Sequence, residues 1–427
     1  MKSDYKIAVA GLWHLGETYS AGLAELGHRV FGITEDQMSA DNFMKFQPPL
    51  AEPGLEELLR ENISAGRLSY SADYSSVSDA NVFWVTFDTP VNENDDVDLS
   101  VVFDAFEKAI PFFKDGVLAV VTSQLPVSTS EKLIKMIKER RPELNFGYVY
   151  TPENLRLGEA VKCFMEPGRV VVGADSVESL SKIKEIFSPL KAEILEMSPA
   201  SAEMAKHALN GFLATSLSFI NDIADVCEKT GADVLDVIKA LKSDPRIGQK
   251  AYLDASLGFS GGTLGRDLKA LSHFAKSTGI SLPVIENVYS KNLARKNWVI
   301  EKLKSEIGVL NGARIAILGL TYKAGTSTLR RSQALEVASD LNKVGAVLFL
   351  TDPKAEREDI LRDPYQAAKG VKAVVLMTPW PDYKNLDFKK LAEVCGGNPL
   401  FLDTRNFLYQ KEGEIVEAGF KYKGIGR

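Results

Sequence analysis

Six residues, Gly11-Leu12-Trp13-His14-Leu15-Gly16, follow the apolar run Lys6-Ile7-Ala8-Val9-Ala10 and open an amphipathic stretch that ends near Leu26-Gly27. A glycine turn between a strand and a helix is the setting in which a dinucleotide pyrophosphate is held. The first glycine makes the tight turn and the last lets helix and strand approach. The helix N-terminus offers NH groups to the phosphates. The middle position, where a glycine admits the pyrophosphate, is Trp13. Two readings therefore stay open: a cofactor turn, or a packing turn with Trp13 as buried filler. Glu35 and Asp36 lie just past the second strand, each able to reach a ribose hydroxyl and each equally at home in a solvated turn. No Lys or Arg accompanies them to pair with a 2′-phosphate, which favours NAD over NADP.

Lys206 and Asn210 lie four residues apart in a long helical pattern, so one helix face presents both. Taken alone they also fit a surface lysine and a solvated asparagine. Further on, Gly258-Phe259-Ser260-Gly261-Gly262-Thr263-Leu264-Gly265-Arg266-Asp267 combines a glycine-rich turn, which lets backbone approach a ligand, with a hydroxyl and a carboxylate. A threonine needs a dedicated strong base to act as a nucleophile. His207 neighbours Lys206 in sequence, so on a regular helix it points roughly 100° away from it.

These residues need a scaffold. Residues 1–195 alternate β-branched runs with helical patterns, predicting a parallel sheet with strands at 6–10, 29–33, 82–86, 117–122, 147–150 and 169–173. Residues 199–305 are mostly helical, led by a segment at 200–230 that closes on Lys229-Thr230-Gly231, a cationic last turn and a stopping glycine. A second α/β rhythm has strands at 313–319, 346–351, 373–377 and 400–403. The expected division is 1–198, 199–305 and 306–427.

With 427 residues the chain is expected to hold two or three cores. Hydrophobic content of 45% and charged content of 25% are those of a globular protein. A net charge of -6 argues against a general nucleic-acid partner. Cys163, Cys227 and Cys395 lack metal-site spacing, no metal is expected, and three sparse thiols suit a reducing compartment. No signal-type leader precedes the first strand, and no apolar run reaches the ~18 residues of a membrane span. A cytoplasmic protein without a membrane partner is the expectation.

Several motifs then share one family resemblance. The segment Gly258–Asp267 resembles the active-site signature G-F/Y-G-G-S-C-F-P-K-D of the UDP-glucose/GDP-mannose dehydrogenase family, with Thr263 at the nucleophilic cysteine. Pro49-Leu50-Ala51-Glu52-Pro53-Gly54-Leu55 is similar to its P-x-x-E-P-G-L. Thr89-Pro90 with Asp98-Leu99-Ser100 is similar to T-P…D-L-S, and Ser123-Gln124-Leu125-Pro126 to S-T-V-P. Thr151-Pro152-Glu153-Asn154-Leu155-Arg156-Leu157-Gly158 resembles N-P-E-F-L-R-E-G, and Asp244-Pro245-Arg246-Ile247-Gly248 resembles D-x-R-I-G. Glu203–Ala214 is close to the family's helical active-site motif. Gly319-Leu320-Thr321-Tyr322-Lys323 with Arg330 resembles G-L-A-F-K…R, and Asp403-Thr404-Arg405-Asn406 resembles D-x-R-N.

The resemblance implies two Rossmann-like, doubly wound α/β domains joined by a helical central dimerisation segment, and a homodimer. It implies NAD as cofactor, held by Gly11, Leu12, Trp13, His14, Leu15, Gly16, Glu35, Asp36, Thr89, Gln124 and Arg330. It implies a nucleotide-sugar substrate, of UDP type, contacted by Glu153, Asn154, Leu155, Lys206, Asn210, Arg246 (across the dimer interface), Phe259, Gly261, Lys323 and Arg405. Lys206, Asn210 and Asp267 would handle the hydroxyl proton, because hydride leaves carbon only as the oxygen gives up its proton. Glu153 would act as acid/base. Thr263 stands where a thiol forms the acyl-enzyme, so the expected chemistry is oxidation of a primary alcohol to the aldehyde, or onward by a cysteine-independent route. Trp13 and Thr263 also leave open a catalytically silent binding protein.

Overall fold

The computed structural model describes residues 4–90, 97–153, 155–259 and 262–427. The chain divides into two compact units, Met1–Ala208 and Leu209–Arg427, with the boundary inside the helix Pro199–Thr230.

The first unit is built on eight strands: β1 (Lys6–Ala10), β2 (Arg29–Ile33), β3 (Leu68–Ser71), β4 (Val82–Val85), β5 (Val117–Val121), β6 (Phe146–Tyr150), β7 (Arg169–Ala174) and β8 (Glu193–Met197). Their order is β3-β2-β1-β4-β5-β6-β7-β8. The fully parallel sheet expected from the sequence is modified at one place, where β7 runs antiparallel to β6 and carries β8 parallel beside it. Central strands alternate between two cores: Ile7, Val9, Val82 and Trp84 face one, and Ala8, Ala10, Phe83 and Val85 the other. A strand buried on both faces reads as a continuous apolar run, which is why β1, β4 and β5 were legible.

The second unit holds β9 (Arg314–Leu318), β10 (Val347–Thr351), β11 (Ile360–Leu361), β12 (Ala373–Leu376), β13 (Leu400–Asp403) and β14 (Lys421–Gly424). The order β11-β10-β9-β12-β13-β14 is the 3-2-1-4-5-6 arrangement of a doubly wound nucleotide-binding sheet. Here too Ile315 and Ile317 pack on one side and Ala316 and Leu318 on the other. Ahead of this sheet lie the helices Val234–Ser243, Thr263–Thr278, Pro283–Arg295 and Asn297–Ile307.

In both sheets the chain reverses direction of progress between neighbouring strands, β1 and β4 in one, β9 and β12 in the other. Ligands of open α/β sheets bind in the crevice at the carboxyl ends of such strands. That rule places the candidate residues before any side chain is considered.

Candidate active site

The turn after β1 has the close contacts of a dinucleotide loop. Gly11 has φ +94°, and a Cβ there would come within 2.6 Å of the Phe87 backbone nitrogen beyond β4. A Cβ on Gly16 would meet Gly11 O at 2.2 Å and Thr86 Oγ1 at 2.7 Å. Neither position tolerates a side chain. The helix His14–Glu25 begins without a side-chain cap. Its first NH groups are thus presented as an anion-binding end, which fits a pyrophosphate. Trp13 adopts ordinary extended backbone (φ -116°) at the N-cap. Its side chain is not buried filler: the residue is 49% exposed. The expectation of Trp13 as buried filler fails on that observation.

Past β2, the two acidic candidates separate. Asp36 is committed to capping the helix Gln37–Met44, accepting from Ser39 N at 2.7 Å, and that bond lowers its pKa. Glu35 is exposed and takes no part in the cap. Thr89 donates to Gln124 O at 3.2 Å, so the segments after β4 and β5 are joined beside the crevice.

Glu153 follows β6 and faces the start of the long helix. Lys206 Nζ donates to Glu153 O at 2.6 Å and lies 3.5 Å from Glu153 Oε1, so the ammonium is fixed mainly by the carbonyl. The other oxygen, Oε2, accepts from Leu155 N at 2.6 Å. Lys206 is buried, and the Glu153 side chain retains 17% exposure. Neighbouring residues hold this helix end in place. Glu203 accepts from Ser128 N and Ser130 N, both at 2.7 Å, and His207 Nε2 lies 2.9 Å from Leu125 O. Burial raises the pKa of Glu203 while the serine amides oppose it. His207 Nε2 is therefore committed to a carbonyl. Asn154 lies outside the described residues.

In the second unit a cleft of about 1260 Å³ opens at the carboxyl ends of β9, β12 and β13. That exceeds the roughly 300–1,000 Å³ of ordinary small-molecule sites and suits an extended ligand. Of the sequence candidates, Phe259, Thr263, Lys323 and Arg405 line it. Arg405 is oriented by Gly258 O at 3.3 Å and by Gln333 Oε1 at 3.1 Å. Gly258 has φ +87°, and a Cβ there would sit 2.1 Å from Asn292 Oδ1, so this position requires glycine. Gly261 lies outside the described residues.

Thr263 is the first residue of the helix Thr263–Thr278, and Asp267 follows one turn later on the same face. Asp267 is fully buried and accepts a hydrogen bond from the Asn210 amide. A buried carboxylate is tolerated only when its oxygens are bonded, so this pair is built in, not incidental. Asn210, Asp267, Arg246 and Arg330 are not part of the cleft lining. Arg246 forks onto Asp244 through bonds of 3.0 and 2.7 Å with its side chain 89% exposed, and Arg330 is exposed.

Tyr252, Tyr322, Lys239 and Lys242 also line the cleft and were not singled out from the sequence. For Tyr322 the signal was its place beside Lys323. Lys239 and Lys242 are three apart on the helix Val234–Ser243 and looked like an ordinary solvated face. Among the described residues, no group of three or more His, Cys, Asp or Glu is placed to hold a metal, and no helix is long and apolar enough to cross a membrane.

Known proteins share this architecture along the whole chain. Three models of the UDP-glucose/GDP-mannose dehydrogenase family match in succession: the NAD binding domain at 5–191, the central domain at 200–294 and the UDP binding domain at 316–410. The chain is 33% identical to a UDP-glucose 6-dehydrogenase of Rhizobium meliloti (strain 1021) over 438 aligned residues, covering 99% of each protein. It is also 33% identical to the UDP-glucose 6-dehydrogenase TuaD of Bacillus subtilis (strain 168), covering 99% of this chain and 93% of that one. The solved UDP-glucose dehydrogenase of the hyperthermophilic archaeon Pyrobaculum islandicum superposes with a TM-score of 0.88 at 29% identity, covering 100% and 98% of the two chains. With its three family segments in order, the chain belongs to the UDP-glucose/GDP-mannose dehydrogenase family and is an NAD-dependent nucleotide-sugar dehydrogenase.

Proposed function

We propose that the protein oxidises the primary (C6) alcohol of a UDP-sugar and that its first product is the aldehyde. The observation that carries this reading is the Asn210–Asp267 pair one helical turn from Thr263, which lines the large cleft. NAD, when bound, would supply the hydride acceptor. The chain's residues do the rest. Asn210 supplies an oriented amide, Lys206 a buried cation, and Asp267 a carboxylate that receives the hydroxyl proton, so charge developing on oxygen meets fixed dipoles. Lys323 and Arg405 supply positive charge for the diphosphate, with Arg246 reaching a second copy. The cofactor turn 11–16, Glu35, Thr89, Gln124 and Arg330 hold the dinucleotide.

Thr263 marks the departure from acyl-enzyme chemistry. A thiol of pKa about 8.5 ionises under a modest local field, whereas a threonine hydroxyl does not. At the helix start Thr263 can hydrogen-bond the C6 oxygen, and no histidine lies in its motif to serve as a dedicated base. A second oxidation would then run through the hydrated aldehyde, with Glu153 or Asp267 activating the water that adds to the carbonyl and a second NAD, exchanged for the first NADH, as the hydride acceptor.

The functional division is 1–198 for cofactor, 199–305 for the central segment and 306–427 for the UDP moiety, in a cytoplasmic homodimer. Phe212, Phe219 and Val226 repeat every seven residues along the long helix and are 70%, 48% and 57% exposed. That apolar stripe supports self-association.

A panel of UDP- and GDP-sugars with NAD, read by NADH formed per sugar and by product mass, tests the reading. One equivalent with an aldehyde product supports it; two equivalents with a uronate overturn the single oxidation. If no sugar yields NADH while NAD still raises the melting temperature, the protein is a silent binder.

A further inference from the structure

Glu52 is a buried carboxylate outside every role assigned above. Its Oε1 accepts from Gly158 N at 2.7 Å and lies 3.1 Å from His14 Nε2; its Oε2 accepts from Ala160 N at 3.2 Å. The side chain has no exposure, so all three donors compensate its desolvation. Two residues earlier, Leu50 N donates to Glu17 Oε2 at 3.4 Å, giving the same loop a second contact with the helix His14–Glu25.

The donors come from two places. His14 is the first residue of the cofactor helix, next to the exposed Trp13. Gly158 and Ala160 end the segment that carries Glu153. That segment is fixed at its start by Thr151 N on Val121 O at 2.9 Å, and at its finish by Glu52. A carboxylate serving only to satisfy the two amides would have no need of His14. The third contact belongs to the dinucleotide turn.

We infer that Glu52 is a positioning residue that couples the dinucleotide turn, through His14, to the placement of Glu153. This rests on the proposed cofactor site and on the proposed acid/base role of Glu153. His14 sits at the helix end proposed to receive pyrophosphate, and one carboxylate links it to Gly158. His14 lies in the proposed cofactor turn and contacts Glu52 directly, so weakening the link at Glu52 also weakens the grip on NAD.

The test uses the full-length protein with Glu52→Gln, His14→Phe, the double variant, and Ile137→Ala as a control. Ile137 is fully buried in the first unit and remote from these contacts in sequence and role. Measured quantities are the NAD Kd, kcat at saturating NAD and sugar, and Tm. Glu52→Gln is expected to lower kcat about tenfold or more, since small misplacements of a reacting group are costly. It also raises the NAD Kd roughly fivefold. The double variant is expected to bind NAD no more weakly than the worse single one, the signature of a shared interaction. Ile137→Ala at a comparable loss of Tm keeps its kcat. Equal kcat losses in Glu52→Gln and Ile137→Ala at matched Tm, or additive effects at 14 and 52, overturn the inference. Should Glu52→Gln fail to fold, His14→Phe carries the test: kcat unchanged at saturating NAD overturns coupling, and a fall supports it. If the wild type oxidises no sugar, the functional proposal fails separately, while the NAD Kd cycle still reads the coupling.

Discussion

Asn210 donates its side-chain amide to the fully buried carboxylate of Asp267, 57 residues further along the chain. The pair joins the long helix to the helix Thr263–Thr278, and so holds the groups proposed to handle the hydroxyl proton one helical turn from Thr263. Asn210→Ala leaves Asp267 buried without that donor. A loss of about 1–3 kcal/mol in stability follows from the desolvation cost. Loss of an oriented donor adds roughly a hundredfold fall in kcat. Thermal unfolding and steady-state kinetics on one preparation check both; a stability loss with kcat intact would place the pair in the scaffold alone.

In the proposed function Thr263 is the residue that separates the two oxidations. Thr263→Ala is expected to keep the first hydride transfer within about an order of magnitude, since a single hydroxyl hydrogen bond is worth only ~1 kcal/mol. Thr263→Cys puts a thiol at a helix N-terminus, where thiolates are favoured. It is expected to move the stoichiometry from one NADH per sugar toward two. Coupled NADH and mass measurements decide; an Ala variant that binds both ligands yet does nothing would make Thr263 directly catalytic.

Glu17 makes stability depend on pH. Burial in the first unit raises its pKa from 4.5 to about 8; the Leu50 amide opposes this, and the charges of Glu52 and Asp88 add to it. The folded state therefore holds a proton that the unfolded chain releases above pH 4.5. This contribution to stability falls as pH rises from 4.5 through 8, the direction required when the unfolded state binds fewer protons. Glu17→Gln mimics the neutral carboxyl. It is expected to match wild-type Tm near pH 4.5 and to exceed it by about 3 °C or more at pH 8.5. Parallel Tm curves across that range would contradict the assignment.

The stripe Phe212–Phe219–Val226 gives a direct test of self-association. Phe212→Asp with Phe219→Asp changes two exposed positions, and surface substitutions usually cost within about 0.5 kcal/mol. Sedimentation velocity is expected to show a dimer becoming a monomer with helicity retained. An unchanged sedimentation coefficient would remove this face from any interface.

Legibility of the chain followed burial. β1, β2 and β13 lie where their apolar runs predict, because strands packed on both faces have no polar alternation to obscure them. β3, β8, β11 and β14 were missed. β8 is a half-exposed run, Glu-Ile-Leu-Glu-Met, β14 is Lys-Tyr-Lys-Gly, and β11 has two residues; all lack the β-branched density that marks a strand. The antiparallel turn of β7 leaves no local mark in its Val-Val-Val core. In the site, Lys206 and Asn210 were visible as an i,i+4 pair. Asp267 came only through resemblance, since nothing local to it names a partner 57 residues away. The burial of Glu17 and Glu52 was invisible, because a buried carboxylate in sequence looks like any solvated one.

Trp13 offers the last discrimination. Trp13 makes no side-chain cap bond and glycine is a favoured N-cap residue, so Trp13→Gly reports on the cofactor and not on the helix start. The indole is 49% exposed on a turn whose flanking glycines admit no side chain. The Cβ and ring therefore stand where the backbone of a dinucleotide loop normally meets pyrophosphate. Trp13→Gly is expected to tighten NAD binding by roughly three- to tenfold, about 0.7–1.4 kcal/mol. Indole fluorescence of the wild type is expected to change on NAD addition, with that component missing in the variant. Weaker binding in Trp13→Gly would reverse the assignment: the indole would then be a platform against which the cofactor packs, and the missing glycine would be a gain in contact instead of an obstruction.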